Sequence, residues 1–194
     1  MMRRGARTRD ERGQGLVEFT IIVPVFVLLL LGMLEFGFVF DHTLTIQYAS
    51  REGARVGSAL ADGGKLGCDS VDPMIIAAVT RVLKSPGSRV NIAEVPTIRV
   101  FKADASGNEV VGLVNVWNYN AGTGLYTQAS VGWRDCTRKN FGDKVTSPDS
   151  IGVSLTYTYR FQTALGSVLR FFGGSGWSSL TVSDRTVMAL NPTN

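Results

Sequence analysis

The sequence is poor in the parts from which active sites are usually built. It has one histidine, His42, and two cysteines, Cys68 and Cys136, in 194 residues. It contains no H-E-x-x-H, no G-x-S-x-G, no G-x-x-x-x-G-K-[ST] and no C-x-x-C, the patterns in which spacing alone places metal ligands, nucleophiles or phosphate donors. Gly173-Gly174-Ser175-Gly176 is glycine-rich, but its register fits no nucleotide motif and it reads as a turn. Asp62, Asp69 and Asp72 lack the ordered spacing of a calcium loop and read as a solvated acidic loop. His42 reads as a solvated ring at the edge of an apolar run rather than as a base. No enzymatic activity, cofactor or metal is expected.

Charge excludes a further class. The net charge is +4, but arginines 3, 4, 7, 9 and 12 against Asp10 and Glu11 place +3 of it in the first 13 residues. A nucleic-acid footprint gathers Lys and Arg on a folded face. A basic leader before an apolar run instead holds that end of the chain in the cytoplasm, so no nucleic-acid partner is expected.

What the sequence has is one long apolar run. Residues 19–40 carry a single charge, Glu35. As a helix rising ~1.5 Å per residue they reach ~33 Å, enough to cross a ~30 Å hydrocarbon core. A removable signal has a shorter apolar stretch followed closely by a small-x-small site. Phe38-Val39-Phe40 stands in that place and Ala59-Leu60-Ala61 comes too late, so a retained single span over about residues 16–40 is expected. Pro24 removes one backbone hydrogen bond and is expected to kink or loosen it.

The helical spacing continues through Ile46, Ala49, Gly53, Val56 and Leu60, and Asp62-Gly63-Gly64 supplies a terminator. Small residues at Ala49, Gly53, Gly57 and Ala61, four apart, permit close approach of another backbone, here the chain's own sheet. The expected plan is a cytoplasmic leader over 1–13 without stable helix, a hydrophobic helix over 14–60, and an extracytoplasmic β-rich domain over 61–194.

Within that domain, residues 73–84 read as a helix with Asp72 as N-cap and Pro73 at the first position. Residues 97–103 and 110–117 read as a hairpin around the turn 104–109. Strict alternation over 151–161 predicts a strand with one buried face. Residues 163–172 read as a short helix or an apolar loop, and 177–190 as the last strand. Cys68 and Cys136 in an oxidising compartment suggest a disulfide; two unpaired buried thiols are the alternative. Trp117, Tyr119, Tyr126 and Trp133 read either as an adhesive patch or, as is commoner for such aromatics, as core and loop packing.

The informative motif stands at the membrane entrance: Arg12-Gly13-Gln14-Gly15-Leu16-Val17-Glu18-Phe19. Gly13 gives a protease at the membrane face an unobstructed backbone. Cleavage after it leaves an amine on Gln14, about one helical turn from Glu18. A carboxylate in hydrocarbon is costly unless paired or protonated, so Glu18 of one subunit could pair with the Gln14 amine of a staggered neighbour. Alternatively, Glu18 complements the positive end of the helix dipole.

Together with Val23-Pro24, Gly32-Met33-Leu34-Glu35-Phe36-Gly37 and Ala49-Ser50-Arg51-Glu52-Gly53-Ala54-Arg55, this motif resembles the TadE-like pseudopilins of Tad (Flp, type IVc) pilus assembly. The resemblance implies an α+β fold, in which a long N-terminal membrane-spanning helix continues into a pilin-like domain with an antiparallel β-sheet. It implies cleavage between Gly13 and Gln14 by a prepilin peptidase, recognition through Glu18 and Phe19, and assembly contacts at Glu35, Arg51, Glu52 and Arg55. The implied partners are that peptidase, other pilins or pseudopilins, the inner-membrane pilus assembly platform and the lipid bilayer. The implied place is the cytoplasmic membrane, with incorporation into or beneath a surface pilus. Gln14 stands where general type IV pilins carry Phe, so N-methylation is not implied. From the residues alone, Glu35 either works inside the membrane or reaches its outer interface, and Arg51, Glu52 and Arg55 either meet partners or form a solvated helix face. A fixed single-pass envelope protein with a ligand-binding or sensory outer domain is the competing reading of the whole chain.

Overall fold

The structure, a computed structural model, describes residues 10–61, 63, 66–140, 147–174 and 179–191, with side chains from residue 13 onward. Leader residues 1–9, Asp62 and Gly64 of the expected terminator, and residues 175–178 with Trp177 lie outside the described residues. The fold is α+β: a long apolar N-terminal helix followed by a five-stranded sheet and two shorter helices.

Helix α1 runs over Asp10–Leu60, 51 residues with Pro24 inside it. It ends where the spacing predicts. Its start differs, because residues 10–13 were expected to lack stable helix. Extending a formed helix by one turn needs no new nucleation, which offsets the poor propensity of Gly13 and Gly15. At the other end Ala61 (φ 48°) and then Gly63 (φ 82°) take the left-handed backbone that stops it.

The chain divides into two compact units. The first holds the described residues of 1–39 and of 160–178. Here Leu16, Phe19, Ile22, Phe26, Leu29 and Met33 are all exposed around α1. A helix whose large apolar side chains stay exposed rather than buried in protein is suited to lipid. It is long and apolar enough to cross a membrane and fits a single-pass membrane protein. The same unit contains α3, Leu165–Gly173.

The second unit holds the rest of α1, helix α2 (Val71–Leu83), and strands β1 (Thr97–Ala103), β2 (Glu109–Asn120), β3 (Leu125–Ser130), β4 (Ser150–Arg160, of which Arg160 falls to the first unit) and β5 (Ser179–Ala189). The sheet order is β3-β2-β1-β4-β5. The β1–β2, β2–β3 and β1–β4 pairings are antiparallel. On β4 the alternation holds from Ile151 to Tyr159, with Ile151, Val153, Leu155, Tyr157 and Tyr159 buried, but the strand ends at Arg160 and Phe161, expected as its last inward residue, is half-buried beyond it.

Those side chains meet α1 and α2 at the small-residue stripe. A Cβ on Gly53 would lie 2.6 Å from Val79 Cγ2 and 3.2 Å from Val153 Cγ1, and one on Gly57 2.7 Å from Ile151 Cδ1. The stripe therefore brings α1 close to α2 and β4. Ser50 Oγ donates to the Asp184 carboxylate and lies 2.9 Å from Thr186 Oγ1, while Ser58 Oγ donates to the Ala189 carbonyl at 2.5 Å, which ties α1 to β5.

Two local readings differ from the structure. The N-cap of α2 is Ser70, not Asp72, and the side chain that takes its first N–H is Asp135, whose Oδ2 accepts from Val71 N at 2.8 Å. Strand β3 had no expectation, because five of its six residues are exposed and only Tyr126 is buried, which leaves no hydrophobic period to read.

Candidate processing and assembly site

Gly13, Gln14, Gly15, Glu18 and Phe19 are all exposed on α1. Residues four apart on a helix face one another, and the Gln14 Nε2 amide donates to Glu18 Oε1 at 3.0 Å. Among the described residues, nothing stands within 4 Å of where a Cβ would sit on Gly13 or Gly15, so these residues leave the approach to the Gly13–Gln14 peptide bond open. The bond is helical in this chain. A protease that requires an extended backbone must first unwind that turn, which the two glycines make easier.

Further along α1, Glu35 is 2% exposed. Its Oε1 accepts from the backbone N–H of Gln162 at 2.7 Å and its Oε2 from that of Thr163 at 3.0 Å. Sequence reasoning could not pair them: the partners are main-chain groups far along the chain, and main-chain donors carry no residue signature. Glu52 and Arg55 form a two-pronged pair, with Arg55 Nε and Nη2 donating at 2.8 and 2.7 Å. The Arg55 hydrogen bond holds the Glu52 carboxyl below its ordinary range. Arg51 and Arg55 are exposed.

Residues 13–55 are TadE-like. They match the model of the TadE-like protein family. No curated protein and no solved structure matches the chain. TadE-like proteins belong with the Tad pilus system and are structural rather than enzymatic in kind. The matched segment contains Gly13, Gln14, Glu18, Phe19, Glu35, Arg51, Glu52 and Arg55.

Beyond the TadE-like segment, Cys68 and Cys136 are joined by a disulfide, with Cα atoms 5.0 Å apart. Asp135 stands beside them, but this trio is a poor metal centre: sulfurs bonded to each other offer no thiolate. The Asp135 carboxylate already accepts from the N–H groups of Asp69, Val71 and Cys136. The acidic loop is also differently employed. Asp69 pairs with Arg134. Asp72 is buried and accepts from Arg138 Nη2 at 2.6 Å and Asn115 Nδ2 at 2.5 Å. Asn115 in turn accepts from the N–H groups of Gly132 and Trp133, each at 2.8 Å, and the Arg138 guanidinium lies 4.6 Å from the Trp133 ring centre. This cluster fastens the 132–138 segment to α2 and β2.

His42 departs from its reading as a solvated ring. It is 3% exposed, its Nδ1 lies 2.5 Å from Tyr157 Oη, and its ring meets those of Tyr157 and Tyr159 edge-on. Burial lowers its pKa below the ordinary 6.5, against the opposing charges of Asp41 and Glu94. Trp117, Tyr126 and Trp133 are buried, as packing aromatics should be, and Tyr119 meets Tyr126 edge-on. An apolar cavity of about 440 Å³ opens beside them, lined by Ile76, Thr80, Lys84, Trp117 and Tyr126 among others.

Proposed function

We propose that this chain is a membrane-anchored pseudopilin which, after a prepilin peptidase cuts between Gly13 and Gln14, takes part in assembly, priming or capping of a Tad/Flp-type pilus. The observation that carries the reading is the TadE-like match over residues 13–55, which begins at the glycine of the motif and covers it from Gly13 to Phe19. Cleavage removes the basic leader and leaves a helix whose first residue bears an amine one turn before Glu18. In the uncleaved chain a neutral amide holds that carboxylate. After cleavage, the cationic amine of a neighbouring subunit is a stronger partner in low dielectric. Glu18 then sets the stagger between subunits, and the other partners are further pilins and the inner-membrane platform that extracts them.

N-terminal sequencing of the protein extracted from membranes of cells with an active prepilin peptidase tests this. The mature chain is expected to begin at Gln14, and Gly13→Ala to block that cut and reduce piliation. A mature chain that still carries the leader in such cells, or full piliation with Gly13→Ala, overturns it in favour of a fixed anchor.

A further inference from the structure

We propose that α3 is an interfacial helix that lies in the bilayer surface at the C-terminal end of the span, held at that depth by Glu35. The inference rests on the membrane span and is independent of leader cleavage and of any pilus role. Both elements lie in the same compact unit.

Glu35 stands five positions before Phe40, the last residue of the apolar run. At ~1.5 Å per residue its Cα lies ~7.5 Å inside that end. Amphipathic helices in the membrane plane bury their apolar face to a depth of about 5–10 Å. Irregular backbone at this depth has no water to satisfy its N–H groups. Glu35 meets that requirement for the segment entering α3, its two oxygens taking the N–H groups of Gln162 and Thr163. The carboxylate, costly in hydrocarbon when bare, gains two charge-assisted hydrogen bonds in return.

The first turn of α3 is also fixed sterically. A Cβ on Gly166 would lie 2.6 Å from Phe161 Cβ, so only glycine allows this approach, and Thr163 Oγ1 accepts from Leu165 N at 3.2 Å. Helix α3 is therefore held at its start, yet none of its residues is fully buried in the protein: Leu165, Val168 and Leu169 are half-buried, and Phe171 and Phe172 are exposed. Leu165, Val168, Leu169 and Phe172 recur at helical spacing on one side. Phe171 and Phe172 at its end are 83% and 82% exposed and meet each other edge-on at 5.2 Å. Two exposed phenyl rings on an anchored helix, with Arg170 between them and the preceding turn, match the aromatic and basic make-up of a membrane-surface helix. Continuity with the span names the bilayer as the occupant of this face rather than a second chain.

The test places a nitroxide on the full chain in lipid nanodiscs at Phe172→Cys, and separately at Phe171→Cys, the native cysteines being occupied in their disulfide. Relaxation by oxygen, which partitions into lipid, is compared with relaxation by a water-soluble nickel chelate. Both labels are expected to be open to oxygen and shielded from nickel. Glu35→Ala should move them towards the aqueous phase, while a label at Leu29→Cys keeps its depth and reports that the span is intact. Nickel access at 171 and 172 equal to that of a free aqueous nitroxide overturns the proposal. So does an unchanged depth in Glu35→Ala. Line broadening that appears only when two labelled chains share a disc overturns it as well, and assigns the face to a second copy.

Discussion

The imidazole Nδ1 of His42 lies 2.5 Å from the Tyr157 hydroxyl, the point at which α1 meets the buried face of β4. Tyr157 passes the contact on to Glu94 at 3.2 Å, and burial pushes its phenol well above the ordinary value. Around His42, Asp41 and Glu94 favour its protonation, Arg89 opposes it, and desolvation outweighs them, so the folded chain binds the imidazole proton less tightly than the unfolded chain does. Unfolding therefore takes up a proton in the interval below 6.5. Stability contributed here is complete above that pH and falls as pH drops through the interval towards the lowered folded value. Denaturant titrations of the full chain in detergent at pH 7.5 and 5.5 should show the loss at the lower pH. His42→Gln should flatten the slope between the two, and an unchanged slope would remove His42 as its source.

On the sheet, Phe101 of β1 is paired with Gly152 of β4, and a Cβ on Gly152 would lie 2.2 Å from the Phe101 Cζ. The phenyl ring occupies the space that any side chain at 152 would need. Both strands are central and Phe101 is fully buried, so neither backbone nor ring has room to retreat. Gly152→Ala should cost about 1–3 kcal/mol or more through overpacking. Adding Phe101→Leu should recover part of that, which a double-mutant cycle in denaturant would measure as coupling between the two sites. Strictly additive losses would show that the ring can move aside.

How much of this was legible in the sequence depends on the range over which each feature is determined. Helix α1, its end near Leu60, the strands β1, β2, β4 and β5, and the use of the Ala49-Gly53-Gly57-Ala61 stripe for close packing all follow from local periodicity and small-residue spacing. The features that were misread or unseen depend on distant partners. Asp72 followed by Pro73 is a reasonable helix-cap signal, but Arg138 and Asn115 bid for the same carboxylate from elsewhere in the fold. His42 looked interfacial because the run before it is apolar. The buried faces of Tyr157 and Tyr159, which enclose it, were visible only as an alternation on another element. For the candidate site, the Gly13-to-Phe19 motif was readable because its members lie within two turns of one helix. The Glu35 clamp was not, since its acceptors meet main-chain donors.

Asp72 and Arg138 test how far the polar cluster matters. Arg138 is buried, and among the described residues its Nε and Nη1 have no hydrogen-bond partner, so Nη2, which donates to Asp72 at 2.6 Å and to the Trp133 carbonyl at 3.4 Å, and the Trp133 ring hold the charge. Removing the carboxylate by Asp72→Ala should destabilise the chain by about 3–5 kcal/mol, because an unpaired guanidinium is left in the interior. Asp72→Asn combined with Arg138→Leu should lose much less, since the uncompensated charge is gone. As a comparison, Asp69→Ala should cost much less, its partner Arg134 being exposed and the pair screened by water. Equal losses for Asp72→Ala and Asp69→Ala, measured by chemical denaturation, would mean that water reaches Arg138.

Gly53 lies within the matched residues, between Arg51-Glu52 and Arg55, where an assembly contact would be the first guess. Its surroundings point inward: the missing Cβ would press on Val79 Cγ2 at 2.6 Å and Val153 Cγ1 at 3.2 Å, both on β-branched side chains with little rotational freedom. At Gly57 the obstacles are Ile151 Cδ1 at 2.7 Å and Ile75 Cδ1 at 2.9 Å, the free ends of longer chains that can swing away. Alanine gains about 1 kcal/mol over glycine in helix propensity at either position. Gly57→Ala should therefore come out near neutral, within about 1 kcal/mol. At Gly53 the overpacking of about 1–3 kcal/mol exceeds or cancels the gain, and the variant should be the less stable of the two. If Gly53→Ala proves the more stable while piliation is lost, the glycine serves a partner rather than the chain's own core. If stability falls and the residual folded protein still assembles, this part of the motif is a packing device, and the assembly contacts belong to the charged residues on the exposed side of the same helix.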